Sequence, residues 1–231
     1  MTEPLVILVK YTTRGRIDRF FDGMESIYSN CAKPEYLRVL VTADEDDSAM
    51  NCDFVKNKLL SYKNCEIVYG TSTGKINAIN RDFEHFHEYD VLVNFSDDQR
   101  FTIYGWDECI RADFSKLDLS YYVAYFDADT NGALSTMLIA GNGWINRFGW
   151  IYDPKFLSLW CDVLVEDVAK YLNKYHYTGY SIYQHLLPCF GHLPEDKMWR
   201  EQQDLGWTVD TVTYNKIKAK GIPEYLKQFN L

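Results

Sequence analysis

The sequence predicts an α/β fold, with a mostly parallel central sheet flanked by helices and a helical C-terminal tail. Strand-like and helix-like stretches alternate four times within about 95 residues, and this alternation is typical of parallel strands joined by right-handed crossovers. The stretch 194–231 is polar and mostly helical in pattern. With 231 residues, 47 % of them hydrophobic, the chain can bury the large core that such a fold needs.

The first half predicts four strands, each a short apolar run. The run LVILV (5–9) is continuously apolar, as in strands that are covered on both faces. The helix after it places its apolar side chains, from Ile17 to Tyr28, on one face. The remaining elements of this half are a strand at 37–42, a helix at 50–62 with Phe54 and Leu59 inward, a strand at 66–70, a helical pattern at 74–87 that includes Ile76, Ile79, Phe83 and Phe86, and a strand at 90–95.

The second half is less regular. Strands are predicted at 120–126 and 135–140, joined through the turn DADTNG (127–132). The glycine-containing stretch 141–153 predicts a loop. The next helix is predicted to have Pro154 in its first turn, a favoured position for proline, and an apolar stripe from Phe156 to Val168. No repeat or linker divides the chain, so we expect a single domain over 1–231.

Composition excludes several classes of protein. The net charge of −9 argues against an extended nucleic-acid surface, which needs clustered Lys and Arg. The N-terminal stretch carries Glu3 and only a short apolar run, unlike a signal peptide, and no segment has the roughly 18 apolar residues of a membrane span. The six cysteines are scattered without a C-x-x-C pair, so we expect reduced, mostly buried thiols. A soluble, cytoplasmic protein is expected.

Two acids follow the fourth predicted strand, in YDVLVNFSDDQRF (89–101). Asp97 and Asp98 either cap a turn or bind something positive at the carboxyl edge of the sheet, where parallel sheets bind ligands. The phosphate-binding glycine motifs are absent: no G-x-G-x-x-G follows the first strand, Lys75 precedes Ile76 instead of Ser or Thr, and GNGWINRFG lacks a predicted strand-to-helix context. Mg²⁺ or Mn²⁺ can neutralise a diphosphate instead, through carboxylates and the phosphates themselves.

The segment GKINAINRDFEHFHEYDVLVNFSDDQRF (74–101) resembles the central segment of GT-A glycosyltransferases of the family 2 type. That pattern is Gly-Lys, then Ala-x-Asn, a helix, and an apolar strand that ends in an Asp-x-Asp-like motif. Its parts here are Gly74-Lys75, Ala78-Ile79-Asn80 and Ser96-Asp97-Asp98, with Ser96 in place of the first acid. Weaker similarity to viral and bacterial members extends over most of residues 5–220.

The resemblance implies a GT-A-like fold and a donor site at the predicted sheet edge. The implied nucleotide-sugar-binding residues are Tyr11, Thr12, Thr13, Arg14, Asp44, Lys75, Asn80 and Asp97. The implied ligands of Mn²⁺ or Mg²⁺ are Asp98 and His185. Relatives often have His-x-His-Pro where this chain has HLLP (185–188), so a core histidine is the alternative for His185.

An inverting transfer needs a general base that deprotonates the acceptor hydroxyl. The resemblance implies an acid on the helix after the acceptor-side strands, where the candidates are Asp162, Glu166 and Asp167. Asp162 and Glu166 are four residues apart and share a helix face. We place Asp162 first because relatives carry an acid there. A solvated helix face is the alternative, and the better interpretation of the other two.

The implied activity is metal-dependent transfer of a hexosyl group from a nucleotide-diphosphate donor, with a UDP-sugar favoured, to a hydroxyl. Residues 1–100 would bind the donor and 101–193 the acceptor, followed by the tail at 194–231. The acceptor stays open among a glycan, a lipid-linked sugar, a protein and a modified nucleobase. Two alternatives remain: a catalytically silent glycan- or nucleotide-binding domain, and a sugar-nucleotide pyrophosphorylase, for which the first loop, KYTTRGR, is poor in glycine.

Overall fold

A computed structural model describes residues 3–83, 88–126 and 134–231 of the chain. Its strands in chain order are β1 (Ile7–Thr12), β2 (Leu37–Asp44), β3 (Cys65–Gly70), β4 (Val91–Ser96), β5 (Gln99–Phe101), β6 (Tyr122–Ala124), β7 (Ile139–Gly141), β8 (Tyr175–Tyr177) and β9 (Tyr183–His185). Within these ranges, the central sheet has the order β3-β2-β1-β4-β7-β6-β8. β1 to β4 run parallel to one another, and β7 is antiparallel to both β4 and β6. The predicted mostly parallel sheet is confirmed.

Helices cover both faces of this sheet. They are α1 (Ile17–Ser29), α2 (Asp53–Leu59), α3 (Lys75–Asn80), α4 (Trp106–Phe114), α5 (Asn142–Phe148), α6 (Cys161–Tyr171), α7 (Lys197–Leu205), α8 (Thr211–Lys220) and α9 (Ile222–Leu226). A π-helical turn, Gly206–Asp210, joins α7 to α8, so the predicted helical tail is confirmed. No helix in the described ranges has the length and apolar character that crossing a membrane requires.

Two buried cores lie on opposite faces of the sheet because side chains alternate along each strand. Ile7 and Val9 of β1 pack with apolar residues of α1, α2 and α4. Leu8, between them, packs on the other face with residues of α3, α5, α6, α8 and α9. The continuous apolar run of the first strand is therefore explained by cover on both faces.

The prediction of a loop at 141–153 is wrong over the first half of this stretch, where the chain forms α5. Trp144, Ile145 and Phe148 lie three and four residues apart and are all buried, which is the pattern of an amphipathic helix. Gly149 ends the helix in the left-handed region, with φ of 74°. Gly141 joins β7 directly to α5, and a Cβ there would lie 2.2 Å from the Leu119 carbonyl oxygen. Close packing against that carbonyl therefore accounts for glycine at this position.

The predicted start of the next helix, near Pro154, is also wrong. α6 begins only at Cys161, and the segment 151–160 is made of turns and bends. Phe156 is nevertheless buried, so the apolar stripe that suggested one long helix comes partly from a loop packed on the core. Tertiary contacts of this loop, described below, replace helical hydrogen bonds.

Two smaller predictions in the first half change as well. Phe54 is 60 % exposed, and Val55 is the inward residue of α2 together with Leu59. α3 ends at Asn80 because the backbone of Arg81 is extended. Phe86 of the predicted helix and the predicted turn at 127–132 lie outside the described residues.

The six cysteines are free, as predicted, but burial is less complete than expected. Cys31 and Cys161 are buried, Cys189 is exposed, and the other three are partly exposed. Burial raises the pKa of the Cys31 thiol to about 12. A thiol with so high a pKa is a poor nucleophile near neutral pH.

Candidate active site

The carboxyl ends of three parallel strands meet at one edge of the sheet. Thr12 at the end of β1 lies opposite Thr42 of β2 and Ser96 of β4. The segments that follow these strands, at 13–16, 44–47 and 97–98, are therefore neighbours, although they are far apart in sequence. This is the edge at which open α/β sheets bind ligands.

Asp98 and His185 converge at this edge. β5 and β9 pair antiparallel with Gln99 opposite His185, and the Leu186 N–H donates to the Asp98 carbonyl at 2.6 Å. This pairing brings His185 Nε2 to 3.4 Å from Asp98 Oδ2. The other oxygen of Asp98 accepts a hydrogen bond from Ser96 Oγ at 2.5 Å. Ser96, the residue that departs from the Asp-x-Asp pattern, thus orients Asp98.

Asp97 and Asp98 have opposite pKa shifts. Burial raises the pKa of Asp97 to about 7, although the neighbouring Thr13 hydroxyl and the charge of Arg16 act against it. Burial also acts to raise the pKa of Asp98, but its hydrogen bonds and the charges of His185 and Lys75 outweigh that effect and hold it well below the ordinary value. Asp98 is therefore an anion at neutral pH, as a metal ligand must be.

The residues at this edge fit a hard divalent cation that shares its shell with a substrate. The described residues contain no group of three or more His, Cys, Asp or Glu side chains placed to hold a metal. Mg²⁺, however, is commonly held by one or two carboxylates plus substrate phosphates. His185 Nδ1 lies 2.9 Å from Thr136 Oγ1, which fixes the ring with Nε2 toward Asp98. Such an outer partner is usual for a metal-binding histidine.

Several oxygens at the sheet edge are buried yet accept or donate no hydrogen bond within the described residues. They are Thr12 Oγ1, Thr13 Oγ1, Asp44 Oδ1 and Asp97 Oδ1. A buried polar atom without a partner is costly and rare in native proteins. These four oxygens therefore indicate a ligand site rather than a finished structural network.

The residues implied for the nucleoside have unequal access to a ligand. Tyr11 is fully buried, and its hydroxyl donates to the Phe20 carbonyl at 3.2 Å, so it is a core residue with no ring face for a base. Arg14 is half exposed and forms ion pairs with Asp44 and Asp46 at 2.5 and 2.7 Å. These pairs close the first loop against the end of β2, where Asp44 keeps its second oxygen without a hydrogen bond.

Lys75 and Asn80 lie at the two ends of α3. Lys75 is exposed, and its charge lowers the pKa of both Asp98 and Asp162. Asn80 contacts another segment: its Oδ1 accepts the N–H groups of Ile151 and Tyr152 at 2.9 and 3.0 Å, and its Nδ2 donates to the Tyr152 carbonyl at 2.6 Å. Asn80 thus holds the 151–152 segment, and its contact with the nucleotide stays a prediction.

The three candidate bases have different surroundings. Burial raises the pKa of Asp162, while the charges of Lys75 and His185 act to lower it, so Asp162 shares the electrostatic environment of the candidate metal ligands. Glu166 is buried and pairs with Lys170 at 2.5 Å. Asp167 Oδ2 accepts the hydroxyl of Tyr214 at 2.6 Å, which ties α6 to α8.

The structure adds a buried network under the edge that sequence reasoning missed. Lys10 is fully buried within β1 and donates to the Thr42 hydroxyl, which donates to Asp82 at 2.9 Å. Arg81 bonds Asp82 at 2.9 Å and lies 3.6 Å from Asp44 Oδ1. The network braces Asp44 from below. The one available signal was the charge of Lys10 next to the apolar run of the first strand.

Comparison with known proteins places this architecture in a class. No protein-family model and no curated protein matches the chain. Among solved structures, the mannosyltransferase PcManGT from Pyrobaculum calidifontis, in complex with GDP-Man and Mn²⁺, matches 87 % of this chain with a TM-score of 0.65 at 14 % identity. TarS of S. aureus (1–349) in complex with UDP-GlcNAc matches 84 % with a TM-score of 0.64 at 11 % identity. The chain spans 61 % and 60 % of the lengths of these two structures.

These likenesses define the class of fold, which is a glycosyltransferase fold. More particularly, the predicted GT-A-like arrangement is confirmed at the level of the fold. The family 2 assignment and the viral or bacterial type remain predictions.

Proposed function

We propose that the chain transfers a sugar from a nucleotide-diphosphate donor to a hydroxyl acceptor, with Mn²⁺ or Mg²⁺ held by Asp98 and His185. The favoured donor is a UDP-hexose, and the favoured stereochemical course is inversion. PcManGT is in complex with GDP-Man and Mn²⁺, and TarS with UDP and UDP-GlcNAc. These complexes support a nucleotide-sugar donor and a divalent cation.

The observation that carries the proposal is the convergence of Asp98 and His185 beside buried, unpartnered oxygens. The two side chains are 87 residues apart and meet only because β5 pairs with β9. Thr12, Thr13 and Asp44 offer polar atoms without a hydrogen bond at the same sheet edge. A metal-bound diphosphate on one side and a ribose or base on the other would fill both sets of interactions.

The side chains divide the chemistry between leaving group and acceptor. A bound Mn²⁺ or Mg²⁺ would neutralise the charge that develops on the diphosphate. Lys75, exposed at the start of α3 and close enough to act on Asp98, would add a positive charge for the same phosphates. Asp162 would accept the proton of the acceptor hydroxyl while the new glycosidic bond forms and the bond to the diphosphate breaks.

Asp162 is suited to this role by its surroundings. Because burial raises its pKa, its carboxylate is a stronger base than that of an exposed aspartate. The charges of Lys75 and His185 act against this rise of the pKa. Glu166 and Asp167 are engaged by Lys170 and Tyr214, and we assign them structural roles.

The test is donor binding and turnover with and without Mn²⁺, over a panel of UDP- and GDP-sugars. Calorimetry should show tighter donor binding with Mn²⁺ in the wild type, and a coupled assay should show metal-dependent nucleotide release. Asp98→Ala and His185→Ala should lose the metal-dependent part of binding. The control variant His192→Ala, which changes an exposed histidine, should keep it.

Three outcomes separate the alternatives. Equal metal dependence in Asp98→Ala and wild type would contradict the metal assignment. Donor binding without hydrolysis or transfer, across acceptors of all four classes, would favour a silent binding domain. Formation of a nucleotide sugar from a nucleoside triphosphate and a sugar phosphate would favour the pyrophosphorylase.

A further inference from the structure

The C-terminal tail holds the loop from which α6 begins. Asp210, the last residue of the π-helical turn, is fully buried. Its Oδ1 accepts the N–H of Leu157 at 2.9 Å, and its Oδ2 accepts the N–H groups of Ser158 and Leu159 at 2.7 and 2.8 Å. One carboxylate therefore satisfies three consecutive backbone donors of a loop that makes no regular secondary structure. Hydrogen bonds to a charged acceptor are stronger than those between neutral groups.

Trp160, the last residue of this loop, continues the attachment. Trp160 has φ of 64°, in the left-handed region that bulky residues rarely adopt. Its indole Nε1 donates to Thr211 Oγ1 at 3.0 Å, and its ring stacks on Tyr214 with 5.0 Å between centroids and 19° between planes. The Trp160 carbonyl then accepts the N–H of Leu164 at 3.0 Å, within the first turn of α6. Strained backbone of this kind persists only where its surroundings determine it, and it is concentrated at functional sites.

The shape of the tail allows this attachment. Gly206, the first residue of the π-helical turn, packs directly on the side chain of Leu159, and a Cβ there would lie 2.2 Å from Leu159 Cγ. The turn can thus bring Asp210 beneath the loop without a steric clash. π-helical turns are rare and frequently occur at functional sites.

We propose that Asp210 is a positioning residue, which fixes the loop at 157–160 and thereby sets the position of Asp162 in the first turn of α6. Within the described residues, the hydrogen bonds of the Asp210 carboxylate go to backbone N–H groups of the loop, so we infer that it acts through Asp162 and not on a substrate. The inference rests on the proposed function insofar as Asp162 is the base. Its structural part, control of the first turn of α6 by the tail, is independent of any activity.

Amide hydrogen exchange tests the structural part on the intact chain. Asp210→Asn removes the charge and replaces one of the two acceptor oxygens with an amide group. Exchange should rise about tenfold or more at 157–159 and through 162–164, while β4 keeps its protection. The matched control is Asp153→Asn, another buried aspartate that accepts a backbone N–H, from Lys155, and a tail hydroxyl, from Tyr225. It should leave 162–164 unchanged.

If amide exchange at 162–164 is as slow in Asp210→Asn as in the wild type, the proposal is overturned. An equal rise of the exchange rate in the Asp153→Asn control would overturn it too. If Asp210→Asn does not fold, Thr211→Val removes the hydroxyl that accepts from the Trp160 indole and donates to the Gly206 carbonyl at 3.3 Å. Faster exchange at 160–164 would then support the attachment, and unchanged exchange would refute it.

Kinetics test whether Asp210 acts through Asp162. Asp210→Asn should lower kcat about tenfold or more, with donor affinity unchanged. Combined with Asp162→Asn, it should cause little further loss, because the residue that it positions is already disabled. Full additivity of the two losses would overturn the proposal. If the wild type transfers no sugar to any acceptor, the proposed function fails, and hydrogen exchange still decides the positioning.

Discussion

Asp162→Asn is the substitution that most directly tests the proposed chemistry. Asp162 Oδ1 accepts the N–H of Val163 at 2.9 Å, and an asparagine can keep that bond. The amide is nearly isosteric, so the fold, donor affinity and Mn²⁺ affinity should stay close to those of the wild type. Transfer should fall by about 10²–10⁴-fold, the usual contribution of a general base. In free energy this is roughly 3–5 kcal/mol of lost transition-state stabilisation.

The assay compares turnover and donor affinity in the same preparation. Product formation is followed at saturating donor, and donor binding is measured by calorimetry with Mn²⁺. Glu166→Gln and Asp167→Asn serve as the comparison on the same helix, since their acids pair with Lys170 and Tyr214. Normal transfer by Asp162→Asn would refute the assignment, and loss of transfer in one of the comparison variants alone would move the base along α6. Normal transfer by all three variants would place the base outside α6 or point to a mechanism that is not inverting.

The surroundings of Asp162 predict the direction in which the pH dependence of transfer is shifted. The base is active when deprotonated, and burial raises its pKa, so the acid limb of kcat/KM should lie above the pH range of an ordinary aspartate. The charge of Lys75 lowers this pKa. Lys75→Met should therefore move the acid limb to higher pH, whereas Lys216→Met on α8 should not. A shift to lower pH would contradict the placement of Lys75 beside Asp162.

Two further predictions concern the nucleoside and the fold. Asp44→Ala should weaken binding of the free nucleoside diphosphate by about 1–3 kcal/mol. The control is Asp46→Ala, which should leave the affinity nearly unchanged because the Asp46 side chain is 70 % exposed. Calorimetry compares the two variants, and equal affinities would move the nucleoside elsewhere. Arg111→Met should lower the free energy of unfolding, measured by urea titration, by about 3–5 kcal/mol. The reason is that the fully buried Asp107 loses the guanidinium that lies 2.5 Å from its carboxylate. A loss below about 1 kcal/mol would show that backbone donors alone satisfy Asp107.

The sequence was sufficient for the parts of the fold that follow from local pattern. Continuous apolar runs predicted β1, β2 and β4, and helical spacing predicted α1. The prediction from sequence failed in two places: a loop whose apolar spacing resembles that of a helix, and a helix whose glycines suggested a loop. Phe156 belongs to a loop held by side-chain acceptors, and the glycines that suggested a loop at 141–153 instead mark the two ends of α5.

The candidate site was predictable in its residue types but not in its geometry. A motif could point to Asp98 and His185 separately, yet their contact depends on a two-stranded pairing between distant segments. Motif resemblance also grouped Tyr11 and Asn80 with the donor site, although one is a core ring and the other a support for the 151–152 segment. Asp210 could not be found from sequence, because its partners are backbone groups about fifty residues earlier.

The unpartnered oxygens at the sheet edge connect folding to binding. Each of the buried oxygens at Thr12, Thr13, Asp44 and Asp97 has given up water without gaining a hydrogen bond within the described residues, at a typical cost of about 1–3 kcal/mol. A packed α/β sheet with two apolar cores can bear this cost, whereas a marginal one could not. The same cost is recovered when a ligand supplies the missing partners, so part of the stability given up in folding becomes affinity for the donor. Because a ligand that binds only the folded chain stabilises it by RT ln(1 + [L]/Kd), the correct nucleotide should raise the midpoint of thermal unfolding. It should do so less in a Thr13→Val variant, where one of the unpartnered oxygens no longer exists.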